Sequence, residues 1–398
     1  MTTAMLPGES SRPSGSGRIA YVVTHPMTVK YLLRGQLAFL VRRGFEVHIL
    51  AGPRARLDDI DAGEGASYRP IRGLSREIHL MSDLWTLFEI FRTLRQLRPD
   101  IVNASTPKAG LLGMLASFLA RVPNRIYTLR GLRLETTRGL EQGILTITEK
   151  IAMACAHRVV AVSTSLRARA LHLGLVAPGK IEVLDAGSSN GVDTSRFHGE
   201  LKASDVELRR LLDLPDNAPV IGFVGRLTRD KGIDDLTIAF TEQVQPRIPS
   251  ARLLIVGDFE TGDSVGVAVQ KGLLRNPAVT LTGYVEDSAP YYRLMDVLAF
   301  PSYREGFPNA PLEAAASEIP VAGYAATGTV DAVIDGTTGT LVRVGDVAAL
   351  GDALCSYLIN PDLRHRHGKA GRSRVEDHFR SEIIWNEWKK LYLREASS

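Results

Sequence analysis

Val220-Ile221-Gly222-Phe223-Val224 runs directly into Gly225-Arg226-Leu227-Thr228-Arg229-Asp230-Lys231-Gly232, an apolar strand followed by a loop that leads to a helix. Working outward, the same alternation recurs at Arg252 to Val256, Val279 to Leu281, Val297 to Pro301, Pro320 to Gly323 and Gly339 to Val342. Upstream it appears at Arg18 to Val23, Glu46 to Ala51, Asp100 to Asn103, Arg125 to Leu129 and Arg158 to Val162, each followed by a longer amphipathic segment. Short apolar strands alternating with helices predict parallel sheets, so the fold class is α/β with two Rossmann-like parallel-sheet domains facing a cleft.

The turn-forming run Asp185 to Asp193 has no periodicity and predicts the linker. The expected organisation is a disordered tail over 1–17, an N-terminal domain over 18–190 joined by a C-terminal helix over 381–398, and a C-terminal domain over 191–380. Pro26 lies near the start of the first helix, which Gly44 ends. The tail is rich in Ser, Gly and Pro and lacks the apolar core of a signal peptide. No window approaches about 18 uninterrupted apolar residues, so a membrane-spanning helix is not expected and the protein is placed in the cytoplasm, peripheral at the cytoplasmic face of the membrane. Cys155 and Cys355 read as reduced core thiols. Charge is uneven: 26 Lys and Arg against 16 Asp and Glu up to Arg196 give +10, and the remainder carries −6. A basic half suits a phosphate-bearing acceptor or an anionic bilayer, and equally a solvated arginine-rich surface.

Chemistry concentrates in two stretches. Arg226 and Lys231 place two cations in a strand-to-helix loop, where a diphosphate would bind and where charge on a departing nucleotide would be stabilised without a metal. In Glu305-Gly306-Phe307-Pro308-Asn309-Ala310-Pro311-Leu312-Glu313, two carboxylates separated by seven residues flank a turn that opens an alanine-rich helix. Carboxylates accept paired hydrogen bonds from vicinal hydroxyls, so Glu305 and Glu313 suit the sugar and ribose of a sugar nucleotide. Alone, each has a plainer reading, Glu313 as a helix-dipole partner and Glu305 as a loop charge. No P-loop spacing and no Gly-x-Gly-x-x-Gly after a strand occurs, which disfavours a dinucleotide oxidoreductase. Asp59-Ile60-Asp61 is the tempting metal pair, but its polar, helix-like context argues against it, and neither metal nor cofactor is expected.

Gly225-Arg226-Leu227 with Lys231-Gly232, Pro301-Ser302-x-x-Glu305-Gly306-Phe307 with Glu313, and Asp335-Gly336-Thr337-Thr338-Gly339 together resemble glycosyltransferase family 4, retaining enzymes of the two-Rossmann-domain (GT-B) architecture. Asn190-Gly191-Val192-Asp193 with Phe197 resembles that family's entry into its second domain. The resemblance implies a nucleotide-sugar donor held mainly by the C-terminal domain. It further implies that Arg226 and Lys231 hold the diphosphate, Glu313 the ribose and Glu305 the donor sugar, with Gly225, Gly306, Phe307, Asn309 and Ala310 beside them. The catalytic set is then Arg226, Lys231 and Glu305. Asp100-Ile101-Val102, Thr106 to Gly110 and Tyr127 to Gly131 are similar to the branch that builds bacterial capsules, exopolysaccharides and lipid-linked oligosaccharides, with Asn103, Ser105 and Arg130 standing where histidines are common.

On the acceptor side, His25 either orients the acceptor or caps a helix, Lys108 either meets a pyrophosphate or is a solvated lysine, and Arg130 suits a phosphate or sugar hydroxyl. Tyr284, after Gly283, faces the nucleotide base or belongs to a plain turn. The expected activity is metal-independent retaining transfer of a hexose or N-acetylhexosamine from a UDP-linked donor to a lipid-linked or growing glycan. The expected partners are that donor, that acceptor and the inner membrane surface, with no nucleic acid. A nucleotide-sugar epimerase or hydrolase of the same architecture and a catalytically silent sugar-nucleotide-binding subunit are the rivals.

Overall fold

The computed structural model describes residues 17–53, 65–75, 80–199, 202–260 and 265–396. Strands β1 (Arg18–Val22), β2 (Glu46–Ala51), β3 (Ser67–Pro70), β4 (Ile101–Ser105), β5 (Asn124–Leu129), β6 (Arg158–Ala161) and β7 (Ile181–Glu182) form one sheet in the order β3-β2-β1-β4-β5-β6-β7. Strands β8 (Val220–Val224), β9 (Arg252–Val256), β10 (Val279–Leu281), β11 (Val297–Phe300), β12 (Val321–Tyr324) and β13 (Gly339–Val342) form a second, ordered β10-β9-β8-β11-β12-β13. The described pairings are parallel, as in Arg18 beside Glu46 and Val220 beside Arg252. Central strands covered on both faces are buried along their length, as β4 and β11 are at every position, and the polar Asn103 of β4 is tolerated there because it is hydrogen-bonded.

Each sheet reverses its strand order once, at β1/β4 and at β8/β11, and a parallel α/β sheet binds ligands at the carboxyl ends flanking such a reversal. Backbone contacts divide the described residues into two compact units, one of 17–128, 148–159 and 385–396, the other of 129–147 and 160–384 within the described ranges. Of the expected N-terminal tail only Gly17 is described, and its carbonyl accepts from Glu46 N.

In the first unit the expected opening helix is two, Pro26–Leu32 and Gln36–Arg42, because Gly35 takes φ +75° and lies under Trp385, whose ring a β-carbon there would meet at 2.6 Å. Trp385 also packs on Phe39, with centroids 5.6 Å apart. Further along the terminal helix, Tyr392 Oη lies 2.8 Å from Tyr21 Oη and accepts from Asn103 Nδ2 at 2.7 Å, while Thr128 Oγ1 donates to Asn103 Oδ1. Asn103 is therefore buried with both its amide nitrogen and its amide oxygen hydrogen-bonded. The second unit buries a core built from strands and helices together, with Phe223 from β8 and Tyr324 from β12 beside Phe240 and Tyr357 from helical segments.

Glu149, 5 % exposed, accepts a 2.8 Å hydrogen bond from Tyr127 Oη. Burial pushes its carboxyl up to about 7 against the hydroxyl's opposing pull, from an ordinary 4.5. The folded chain thus keeps a proton that the unfolded chain releases, so this group's contribution to stability falls as pH rises from 4.5 through 7. Glu149→Gln keeps the hydroxyl's acceptor without that loss. Urea denaturation at pH 8 should show the variant more stable than wild type by up to about 3 kcal/mol, with the gap closing on acidification towards the ordinary carboxylate pKa. Parallel pH profiles for the two proteins would contradict this account.

Candidate active site

The two chemistry-bearing stretches leave neighbouring strands, β8 and β11, at the reversal of the second sheet. Their loops approach closely because glycine backbones allow it. Gly225 N donates to Val256 O and Gly257 N to Gly283 O, both at 3.0 Å, and a β-carbon on Gly257 would stand 1.8 Å from Gly225 O. Gly232, at φ +70°, leaves room for Pro301 O, which a β-carbon would meet at 2.2 Å. Tyr303 N then donates to Asp230 O at 2.9 Å, tying the loop after β11 to the loop after β8.

This register brings Lys231 Nζ to 2.5 Å from Glu305 Oε1, with the two side chains 17 % and 13 % exposed. Arg304 Nη2 pairs with Asp230 Oδ2 at 3.0 Å, and Arg304 Nε donates to Thr136 Oγ1 at 2.8 Å. Burial alone would raise the Asp230 carboxyl, but the Thr228 hydroxyl and the charges of Lys231, Arg304 and Arg226 outweigh it and hold the group below its ordinary value. Arg226 is more than half exposed and pairs with Glu260. Lys231 and Glu305 are thus mutually oriented and largely buried, whereas Arg226 on the same loop is exposed.

Gly306 sits where a side chain would collide with Arg130 O at 2.0 Å, and its carbonyl accepts from Ser163 Oγ at 2.7 Å. Glu305 N donates to Thr327 O. Phe307 is 5 % exposed, its ring packed on Phe379 at 5.2 Å, so that side chain belongs to the core. The helix Asn309–Ala316 begins after Pro308 with no side-chain cap, and Asn309 Oδ1 is buried without a hydrogen-bond partner among the described residues. Uncapped N–H groups and the positive end of the helix dipole suit an anion. One turn on, Glu313 accepts from Tyr292 Oη at 2.8 Å. Burial pushes the Glu313 carboxyl up, while the Tyr292 hydroxyl and the Arg196 charge oppose that shift. Ala310 is half-buried beside them, and Tyr284 is 58 % exposed after Gly283 at φ +69°.

Gly225, Arg226, Lys231, Glu305, Gly306, Phe307, Asn309, Ala310 and Glu313 therefore gather at the carboxyl ends of β8 and β11 or on the helix that follows. Arg130 joins Gly306 through its backbone. Two positions lie in the other unit, at the first sheet's reversal. His25 caps the helix Pro26–Leu32, its Nδ1 accepting from Met27 N at 3.1 Å. Lys108, 8 % exposed, is ion-paired with Asp83 at 2.6 Å and is not a solvated lysine. Beside it Thr106 holds φ +73°, strained for a β-branched residue, with Oγ1 2.7 Å from Thr24 Oγ1.

Sequence reasoning did not single out Asp230, Arg304, Tyr292 or Asp235, the last accepting from both Tyr303 Oη at 2.6 Å and Tyr324 Oη at 2.5 Å. Asp230 and Arg304 adjoin Lys231 and Glu305 in sequence, which was the available signal; their pairing across 74 positions was not. Asp59 and Asp61 lie outside the described residues. Among the described residues no three His, Cys, Asp or Glu side chains cluster so as to hold a metal ion.

Comparison with known proteins matches residues 218–360 to the family of glycosyl transferases group 1 and residues 32–196 to glycosyltransferase family 4. The capsular polysaccharide biosynthesis glycosyltransferase CapM of Staphylococcus aureus is 39 % identical over 94 % of this chain and 96 % of its own. The UDP-Gal:alpha-D-GlcNAc-diphosphoundecaprenol alpha-1,3-galactosyltransferase of Escherichia coli is 27 % identical over 85 % and 87 % respectively. Among solved structures, Anabaena HepE in complex with UDP-glucose superposes with a TM-score of 0.77 at 19 % identity, covering 94 % of this chain and 99 % of its own, and supports the fold.

Gly232→Ala should expose how far the site depends on one backbone approach. The variant must relieve both positive φ and the overlap with Pro301 O, so urea denaturation should read a loss of about 2–3 kcal/mol. Unchanged stability would mean that the two loops do not need this contact.

Proposed function

The chain belongs to glycosyltransferase family 4, and we propose that this glycosyltransferase moves a hexose or N-acetylhexosamine from a UDP-linked donor to a hydroxyl of a lipid-linked or growing glycan, with retained anomeric configuration and without a metal ion. The relatives that act in capsule synthesis and on a diphosphoundecaprenol acceptor support the pathway class and the acceptor. The HepE complexes, of like fold, hold UDP and UDP-glucose. The observation that carries the reading is the Lys231–Glu305 pair at the β8/β11 reversal, beside the uncapped helix at Asn309.

In this reading Arg226 and Lys231 meet the diphosphate, the helix N-terminus at Asn309 and Ala310 faces its oxygens, and Glu313, steadied by Tyr292, accepts from the ribose. Glu305 accepts from the donor sugar's hydroxyls, with Gly225, Gly306 and Phe307 shaping the backbone around it and Tyr284 beside the base. Glu305 is engaged with Lys231, which suits hydroxyl binding better than attack on carbon. The bond from the anomeric carbon to the UDP oxygen breaks as the acceptor oxygen bonds that carbon on the same face. The acceptor's proton passes to the departing phosphate, whose charge Arg226 and Lys231 stabilise. His25, Lys108 and Arg130 are assigned to the acceptor side. The division of labour follows the two sheets, 18–190 with the terminal helix for the acceptor and 191–380 for the donor. A peripheral position at the cytoplasmic face of a membrane fits the +10 charge of the first 196 residues. Among the described residues no helix is long and apolar enough to cross one.

A panel of UDP-sugars should raise the melting temperature in EDTA as well as without it, because a ligand that binds the native state stabilises it. Lys231→Ala should abolish that shift and lower turnover by about 100-fold or more. An NMR assay of product should show transfer with the donor's anomeric configuration kept. Inverted product, a shift that requires metal, or donor consumed with no acceptor would each overturn the corresponding part of the assignment.

A further inference from the structure

We infer that the helix Leu80–Leu97 is a docking surface for a bilayer bearing anionic lipid headgroups. This helix has two apolar faces. Thr86, Ile90 and Leu94 are at most 1 % exposed and face the core of the first unit. Met81, Leu84, Trp85 and Phe88, spaced by three and four positions along another face, are 74 %, 62 %, 71 % and 54 % exposed. A surface helix of a water-soluble domain needs a single apolar stripe, and a second one rich in large side chains marks an interaction site. Trp85 and Phe88 stack edge-on at 6.3 Å, so the patch presents an organised aromatic wedge.

Charge selects the occupant. The nearby acids are engaged: Asp83 pairs with Lys108, and Glu89 accepts from Arg72 N at 3.0 Å. The stripe continues, one and two turns on, as the exposed Arg92 and Arg95, with exposed Arg72 alongside. An aromatic and aliphatic tip followed by arginines matches the acyl boundary and the anionic headgroups of a membrane, where tryptophan settles and each arginine adds electrostatic attraction. The inference deepens the proposed reading, in which the acceptor is lipid-linked: docking would hold the enzyme where such an acceptor resides.

The test uses the full chain with vesicles of phosphatidylethanolamine and phosphatidylglycerol, against vesicles of phosphatidylcholine alone, in a flotation assay. Wild type should float with the anionic vesicles, less so as salt rises. Trp85→Ser/Phe88→Ser should weaken that binding at least about tenfold, and Arg92→Glu/Arg95→Glu should do so in a salt-dependent manner. Both variants should keep the wild-type melting temperature and the wild-type response to UDP. Equal flotation of wild type and Trp85→Ser/Phe88→Ser overturns the inference. So does a wild-type dimer that this variant splits, which would make the patch a contact with a second copy, or a marked fall in melting temperature, which would make it part of the chain's own core. If UDP shifts nothing in wild type while flotation behaves as expected, the donor assignment fails and the docking surface stands.

Discussion

Pro301 O lies where a β-carbon of residue 232 would be, and the candidate site depends on that missing carbon. With glycine in the left-handed region at 232, the loop after β8 turns sharply enough to lie against the loop after β11. The backbone bond from Tyr303 N to Asp230 O then fixes the register between them, and the two ion pairs, Lys231 with Glu305 and Arg304 with Asp230, follow from it. Side-chain chemistry in this site is therefore a consequence of main-chain packing. Glycines at 225, 257, 306 and 328 extend the same device, each standing where a neighbouring backbone leaves no room or where φ is positive.

The electrostatics of the site balance burial against pairing. Asp230 stays ionised because three cations and a hydroxyl offset its desolvation, while Glu313 has fewer compensating groups and its carboxyl rises. Lys231 and Glu305 are each other's counter-ion, and in the proposed reading they face the donor's adjoining diphosphate and sugar. A ligand that supplies phosphate to one and hydroxyls to the other can replace their mutual contact without leaving either charge uncompensated, which a purely structural ion pair would not require. The orphaned Asn309 Oδ1 and the uncapped helix beside it add unmet polar capacity at the same place.

The first unit solves a different problem. Its sheet is packed by a helix from the far end of the chain, through Trp385 over Gly35 and through Tyr392 with Tyr21 and Asn103. A buried polar chain of this kind specifies one arrangement, since any slip would strand an amide or a phenol without a partner. On the other side of that unit the helix Leu80–Leu97 keeps a second apolar face outward.

By itself the sequence determined the class of fold, the strand order of events along the chain and the residues of the donor-side motifs. These depend on local signals: apolar runs the length of a strand, helical periodicity and turn formers such as Gly225, Gly232 and Gly306. The edge strand β3 and the break at Gly35 escaped it, because a short half-exposed strand and a helix interruption beneath a distant tryptophan have no local signature. Tertiary structure alone decided which charges are partners. Arg304 chooses Asp230, Lys108 chooses Asp83, Tyr292 supports Glu313 and Asn103 joins Tyr392, 289 positions away, because packing of helices, loops and strands brings those groups together and sequence spacing does not. Periodicity is a property of neighbours along the chain, whereas pairing is a property of neighbours in space.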